Sequence, residues 1–154
     1  MGLSPEELAE LVSELDLLND FLIEHADVNN ACANGYISDQ IQTPNMGSHF
    51  YRLDLFNDGF DPATPDILLY AVADGTVPEG VIGRCNNGVW DGKPMVLVGS
   101  AFMSTPDISE DSITNNDIYK HPEGFTGDLD NWHVHLNLCR RNSQRSDTFV
   151  PREE

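Results

Sequence analysis

Positive charge is what this sequence has least of. Of its 154 residues only eight are Lys or Arg, against 26 Asp and Glu, and Lys93 and Lys120 are its only lysines. A net charge of −18 repels phosphate backbones and argues against nucleic acid as a partner. The same shortage favours solubility in salty surroundings and fits a halophilic or marine source. Long hydrophobic runs are missing too. No stretch approaches the ~20 apolar residues that cross a bilayer, so no membrane insertion is expected. Met1 is followed by leucines interleaved with glutamates, which is not a signal peptide. The three cysteines, Cys32, Cys85 and Cys139, form neither a C-x-x-C nor a zinc-finger spacing. They leave open one disulfide with a leftover thiol, or three reduced thiols. There is no internal repeat, G-x-S-x-G elbow, P-loop or dinucleotide fingerprint, so catalytic residues stay unassigned, catalysis stays open beside binding, and no organic cofactor is implied.

What is present suffices for one folded domain. A chain of this length buries roughly 70% of its unfolded surface, and an apolar content of 40% suits a globular protein. Ser4 and Glu7 form a capping box, with Pro5 in the favoured first helical position. Leu8, Leu11, Val12, Leu15, Leu18, Leu22 and Ala26 follow at helical spacing, and Asn34-Gly35 supplies a stop. The spacing predicts one helix over about residues 5–33.

Beyond it, aromatic and branched runs predict strands at 48–55 and 67–72. A further pair is predicted at 81–85 and 95–103, and a last strand at 132–139. Turn chemistry at Asn57-Asp58-Gly59, Asp61-Pro62, Asn86-Asn87-Gly88 and Asp91-Gly92 separates these runs. Residues 104–128 read as a long polar loop. Its acidic stretch 107–117 lacks the glycine and terminal glutamate of an EF-hand; a solvated loop fits it better than calcium does. The expected architecture is α+β, a long N-terminal helix packed on an antiparallel sheet or open barrel. It occupies residues 1–140, and residues 141–154 form a poorly ordered tail.

Charge is also unevenly placed. Residues 1–40 hold nine acids and no Lys or Arg, while four of six arginines lie between Arg140 and Arg152. That asymmetry allows the tail to pair with the helix within a chain or in a homo-oligomer. The plainer reading is a solvated helix face.

The chemistry concentrates in Trp132–Arg141, WHVHLNLCRR. In a strand, alternate residues share a face, so His133, His135, Asn137 and Cys139 fall opposite Trp132, Val134, Leu136 and Leu138. Two histidines at i and i+2 stand about 7 Å apart, close enough to converge on one ion. A site needs a third ligand and usually a fourth. His49 on the first strand is the leading candidate for the third, and His121 or a water for the fourth. Cys139 lies two strand steps beyond His135 and reads better as a disulfide or core thiol. His25 belongs to the helix and packs or meets solvent. Imidazoles suit zinc or copper. No carboxylate follows the pair as it does in a cupin, and nothing suggests an oxyanion hole for a Cys139–His135 nucleophile. The alternative is that the imidazoles bond to buried carboxylates and serve structure or oligomer formation.

Several phrases recur together. Gly35-Tyr36, Met46-Gly47, His49-Phe50, Asp61-Pro62, Pro65 and Leu68-Leu69-Tyr70 stand in one order, followed by W-H-x-H-x-x-L-C at Trp132–Cys139. Over roughly residues 20–140 the chain resembles a family of uncharacterised, often exported bacterial proteins. The resemblance implies a helix-plus-sheet domain, an extracytoplasmic location and no established activity. Relatives carry a glutamate where this chain has Ala71, which removes one acidic ligand or base. They also continue into a further histidine-bearing strand, which implies that a chain ending at Glu154 is truncated.

Overall fold

The computed structural model describes residues 2–44, 46–55, 61–104, 110–114 and 132–137. Helix α1 spans Pro5–Glu24 and begins as the sequence predicts. Glu7 N–H donates to Ser4 Oγ at 3.2 Å, and Ser4 N–H donates to Glu7 Oε2 at 2.7 Å. The Ser4 backbone N–H, and after it the Ser4 hydroxyl, holds the Glu7 carboxyl below its usual range.

The single helix expected over 5–33 is in fact two. His25 closes α1, its backbone N–H bonding to Phe21 O. Asp27 then caps α2, Val28–Ala33, by accepting from Asn29 N–H at 2.9 Å. Ala26 kept the apolar spacing in phase across this break, so periodicity alone missed it. The orphan carbonyls of α1 are satisfied from elsewhere. Asn30 Nδ2 donates to Glu24 O at 2.8 Å, and the Tyr70 hydroxyl donates to His25 O. Gly35, at φ 88°, ends α2 as expected. Tyr36 N–H reaches Ala31 O and Gly35 N–H reaches Cys32 O, a glycine-dependent helix stop.

The main sheet is antiparallel throughout, ordered β1 (Ile37–Ser38), β2 (Ser48–Tyr51), β3 (Ile67–Val72), β6 (Met95–Ser104) and β7 (Trp132–Asn137). The strand expected at 48–55 stops at Tyr51, and Leu53–Leu55 form a 3₁₀ turn. The segment 81–85 does not pair with 95–103. Instead β4 (Cys85–Asn86) pairs with β5 (Val89–Trp90). Asn87 and Gly88, at φ 51° and 77°, give the two left-handed residues that a tight two-residue hairpin needs. The turn folds Cys85 onto its own neighbour and leaves β6 free to join β3. Within the expected long loop, Glu110–Thr114 forms a short helix, α3, with Ile113 buried.

The sheet is covered on both sides, which is why β3 reads as a continuous apolar run rather than an alternating one. On one side Phe50, Leu68, Tyr70, Val72 and Phe102 meet Leu18, Leu22, Val28, Ala31, Tyr36 and Trp90. On the other, Tyr51, Ile67, Leu69 and Ala101 meet Ile113, with Ile37, Leu53 and Val98 at the margin. Each fully buried side chain of this size contributes about 1.5–3 kcal/mol. A disulfide, Cys32–Cys85, fastens the hairpin to α2. Trp90 N–H adds a bond to Asn29 Oδ1 at 2.9 Å. The predicted α+β architecture holds, with an open sheet among the described strands. Among the described residues no helix is long and apolar enough to cross a membrane.

Candidate functional site

The most concentrated buried polar group lies where β1 runs into the loop before β2. Ser38, Asp39, Ser48 and His49 are all at most 2% exposed. The β1–β2 register pairs Ser38 with Phe50, so the next residue, Asp39, falls beside His49. Asp39 N–H donates to His49 O at 2.9 Å, confirming the alignment at the backbone. The Asp39 carboxylate is then well supplied. Oδ1 accepts from Ser48 Oγ at 2.8 Å and from Ile41 N–H at 3.3 Å. Oδ2 faces His49 Nδ1 at 3.5 Å. A carboxylate there favours the tautomer with its proton on Nδ1. The imidazole also stacks on Tyr51, ring centroids 5.9 Å apart.

The loop is bent to deliver this arrangement. Gln40 adopts φ 67°, a left-handed conformation that costs a non-glycine residue about 1–2 kcal/mol. Its N–H donates to Ser38 Oγ at 2.9 Å, and its carbonyl accepts from Ile82 N–H at 2.7 Å. Gln42 extends the hold, accepting from Val72 N–H at 2.8 Å and donating to Thr76 O at 3.1 Å. Gly47, at φ 92°, lets the returning chain pass so close to β3 that a Cβ would lie 2.6 Å from Tyr70 O.

Chemically this is a closed cluster. Ser48 donates to Asp39 rather than to the imidazole, so the histidine does not activate it as a nucleophile. His49 is 1% exposed, and a reactant would have to displace the core to reach it.

The predicted ligands are distributed unevenly. His133 and His135 lie on β7, last in the order of the described strands, in register with Met103 and Ala101. Across the sheet, His49 aligns with Leu69, Gly99 and Asn137, and Tyr51 aligns with Ile67, Ala101 and His135. His49 and His135 therefore belong to adjacent rows of one face, with β3 and β6 between their strands. Three inter-strand steps and a two-residue offset along the strands put their backbones about 16 Å apart. His121 and Cys139 lie outside the described residues. His25 packs, as expected of it: Nδ1–H donates to Phe21 O and Nε2 accepts from Asn34 Nδ2, both at 2.8 Å. Its ring also stacks on Phe21 at 3.9 Å. Among the described residues no group of three or more His, Cys, Asp or Glu is disposed to hold a metal ion.

Sequence reasoning missed Asp39 as the partner of His49. The only available signal was its position just after a short strand, and that becomes meaningful only once the β1–β2 register is known. No family model, curated protein or solved structure matches the chain.

Proposed function

We propose that this is a non-catalytic structural or oligomer-forming domain in which the histidines serve packing and hydrogen bonding. The observation that carries the reading is the Asp39 carboxylate beside His49 Nδ1 at 3.5 Å in a closed core. A carboxylate at this distance favours one tautomer of the buried imidazole, and the polarity of the pair is turned inward to the fold. His25, bonded at both ring nitrogens, supports the same role. The uncharacterised-family resemblance is compatible with this reading, since it implies a helix-plus-sheet domain without an activity.

A second reading, a zinc or copper site, is favoured by one observation. His133 and His135 occupy alternate positions of the last strand in the described sheet order, on rows of the face that also includes His49. In that reading β7 supplies two ligands, and His49, His121 or water completes the set. Two measurements on protein purified without added metal separate the readings: elemental analysis, and melting with and without zinc or copper. The structural reading expects no stoichiometric metal and an unshifted melt, with His49→Ala destabilising. Stoichiometric metal lost in His133→Ala/His135→Ala overturns it.

A further inference from the structure

Helix α1 is amphipathic along its whole length but covered along only part of it. Leu18 and Leu22, near its C-terminal end, are buried against the sheet. The same face one to three turns earlier stays open: Leu8 is 53% exposed, Leu11 40%, Val12 50% and Leu15 47%. At 1.5 Å per residue, Leu8–Leu15 carries this stripe roughly 11 Å along the helix. A contiguous exposed apolar patch rimmed by polar residues is the kind of surface that marks an interaction site.

Charge decides what fits the strip. Helix α1 carries Glu6, Glu7, Glu10, Glu14, Asp16, Asp20 and Glu24 and no Lys or Arg. At about 100° per residue, Glu7 and Glu14 border the strip on one side and Asp16 on the other. An anionic membrane or nucleic acid would set negative charge against these rims. A second α1 would do the same. A helix with apolar residues between Lys and Arg matches both the strip and its edges.

We propose that the N-terminal half of α1 docks an amphipathic basic helix of another protein. Its apolar residues seat on Leu8, Leu11, Val12 and Leu15, and its Lys and Arg flanks meet Glu7, Glu14 and Asp16. The mode is helix against helix, read by the partner at i, i+3, i+4 and i+7. The apolar strip supplies affinity, and the acidic rims supply steering and salt dependence. The inference is independent of the histidine reading, since among the described residues no histidine borders the strip.

The test titrates the full chain with a synthetic helical peptide of about 18 residues, leucines at i, i+3, i+4 and i+7 and lysines between them. A matched peptide has glutamates in place of the lysines. The lysine peptide is expected to bind in the micromolar range and the glutamate peptide not at all. Binding should weaken roughly tenfold in Leu11→Gln/Leu15→Gln and roughly tenfold between about 0.05 and 0.5 M salt. The single variant Leu8→Gln should weaken it in the same direction. Both variants should melt as the parent does, because the replaced side chains are exposed. No binding at about 1 mM peptide, or equal binding by the double variant, would overturn the proposal. Self-association abolished by the double variant would also overturn it, by making a second copy the occupant. A clear drop in melting temperature would do the same, by placing the strip inside the fold.

Discussion

Opening the Cys32–Cys85 bridge is the most informative perturbation of the fold. The bridge links residues 53 apart in sequence and joins α2 to β4. Loop-closure entropy for a crosslink of this span gives about 4 kcal/mol of stabilisation through restriction of the unfolded chain. Replacing both cysteines by alanine leaves the Trp90–Asn29 hydrogen bond, so the hairpin keeps one tie to α2 while losing the covalent one. With a urea slope of about 2 kcal/mol per molar, the unfolding midpoint should fall by about 2 M. Trp90 reports the event, because its ring rests 5.3 Å from that of Phe50. Tryptophan fluorescence and far-ultraviolet dichroism should shift together in the double variant, and dithiothreitol should shift the parent likewise. A midpoint change below about 0.5 M, worth about 1 kcal/mol, would refute the reasoning. It would mean either that the bridge is not closed or that the unfolded chain keeps this loop ordered without it.

Other substitutions read other parts of the account. Asp39→Ala leaves His49 and Ser48 facing a vacated carboxylate position, and a loss of about 3 kcal/mol in urea unfolding is expected, with Asp39→Asn milder. Gly47→Ala forces a Cβ against Tyr70 O at φ 92°, which should cost about 2 kcal/mol and lower the melting temperature by about 6 °C. Alkali should unfold the protein. Burial raises the pKa of the Tyr36 and Tyr70 hydroxyls, with further upward contributions from Asp66 beside Tyr36 and from Tyr36 beside Tyr70. Below about pH 10 both states keep these protons and stability is complete; above it the unfolded chain ionises first and stability falls. The urea midpoint should therefore hold up to about pH 10 and fall steadily above it, and Tyr70→Phe should lessen the fall.

The legible parts of this fold were those written in local pattern. The capping box at Ser4, the glycine stop at Gly35 and the apolar run Ile67–Val72 each encode their structure within a few residues. What escaped depended on partners distant in sequence or on competing local chemistry. The break at His25–Asp27 is a second cap hidden inside an uninterrupted apolar rhythm. The β4–β5 hairpin prevailed over a longer pairing because Asn87 and Gly88 both accept left-handed backbone. The site was half legible. Histidine spacing singled out His49, His133 and His135, but spacing says nothing about which strands lie between them. The carboxylate beside His49 stands ten residues earlier, in a loop, and only the β1–β2 register brings it there.

The central claim is that His49 is a structural histidine held by Asp39, and its ring nitrogens are the place to test it. A long-range proton–nitrogen correlation spectrum of the imidazoles, recorded before and after one equivalent of zinc, reads them directly. A structural His49 beside Asp39 gives a ring protonated on Nδ1 whose two nitrogen signals stay in place when zinc is added. Movement of either His49 nitrogen to a metal-bound position, with His133 or His135 moving alongside, would contradict it.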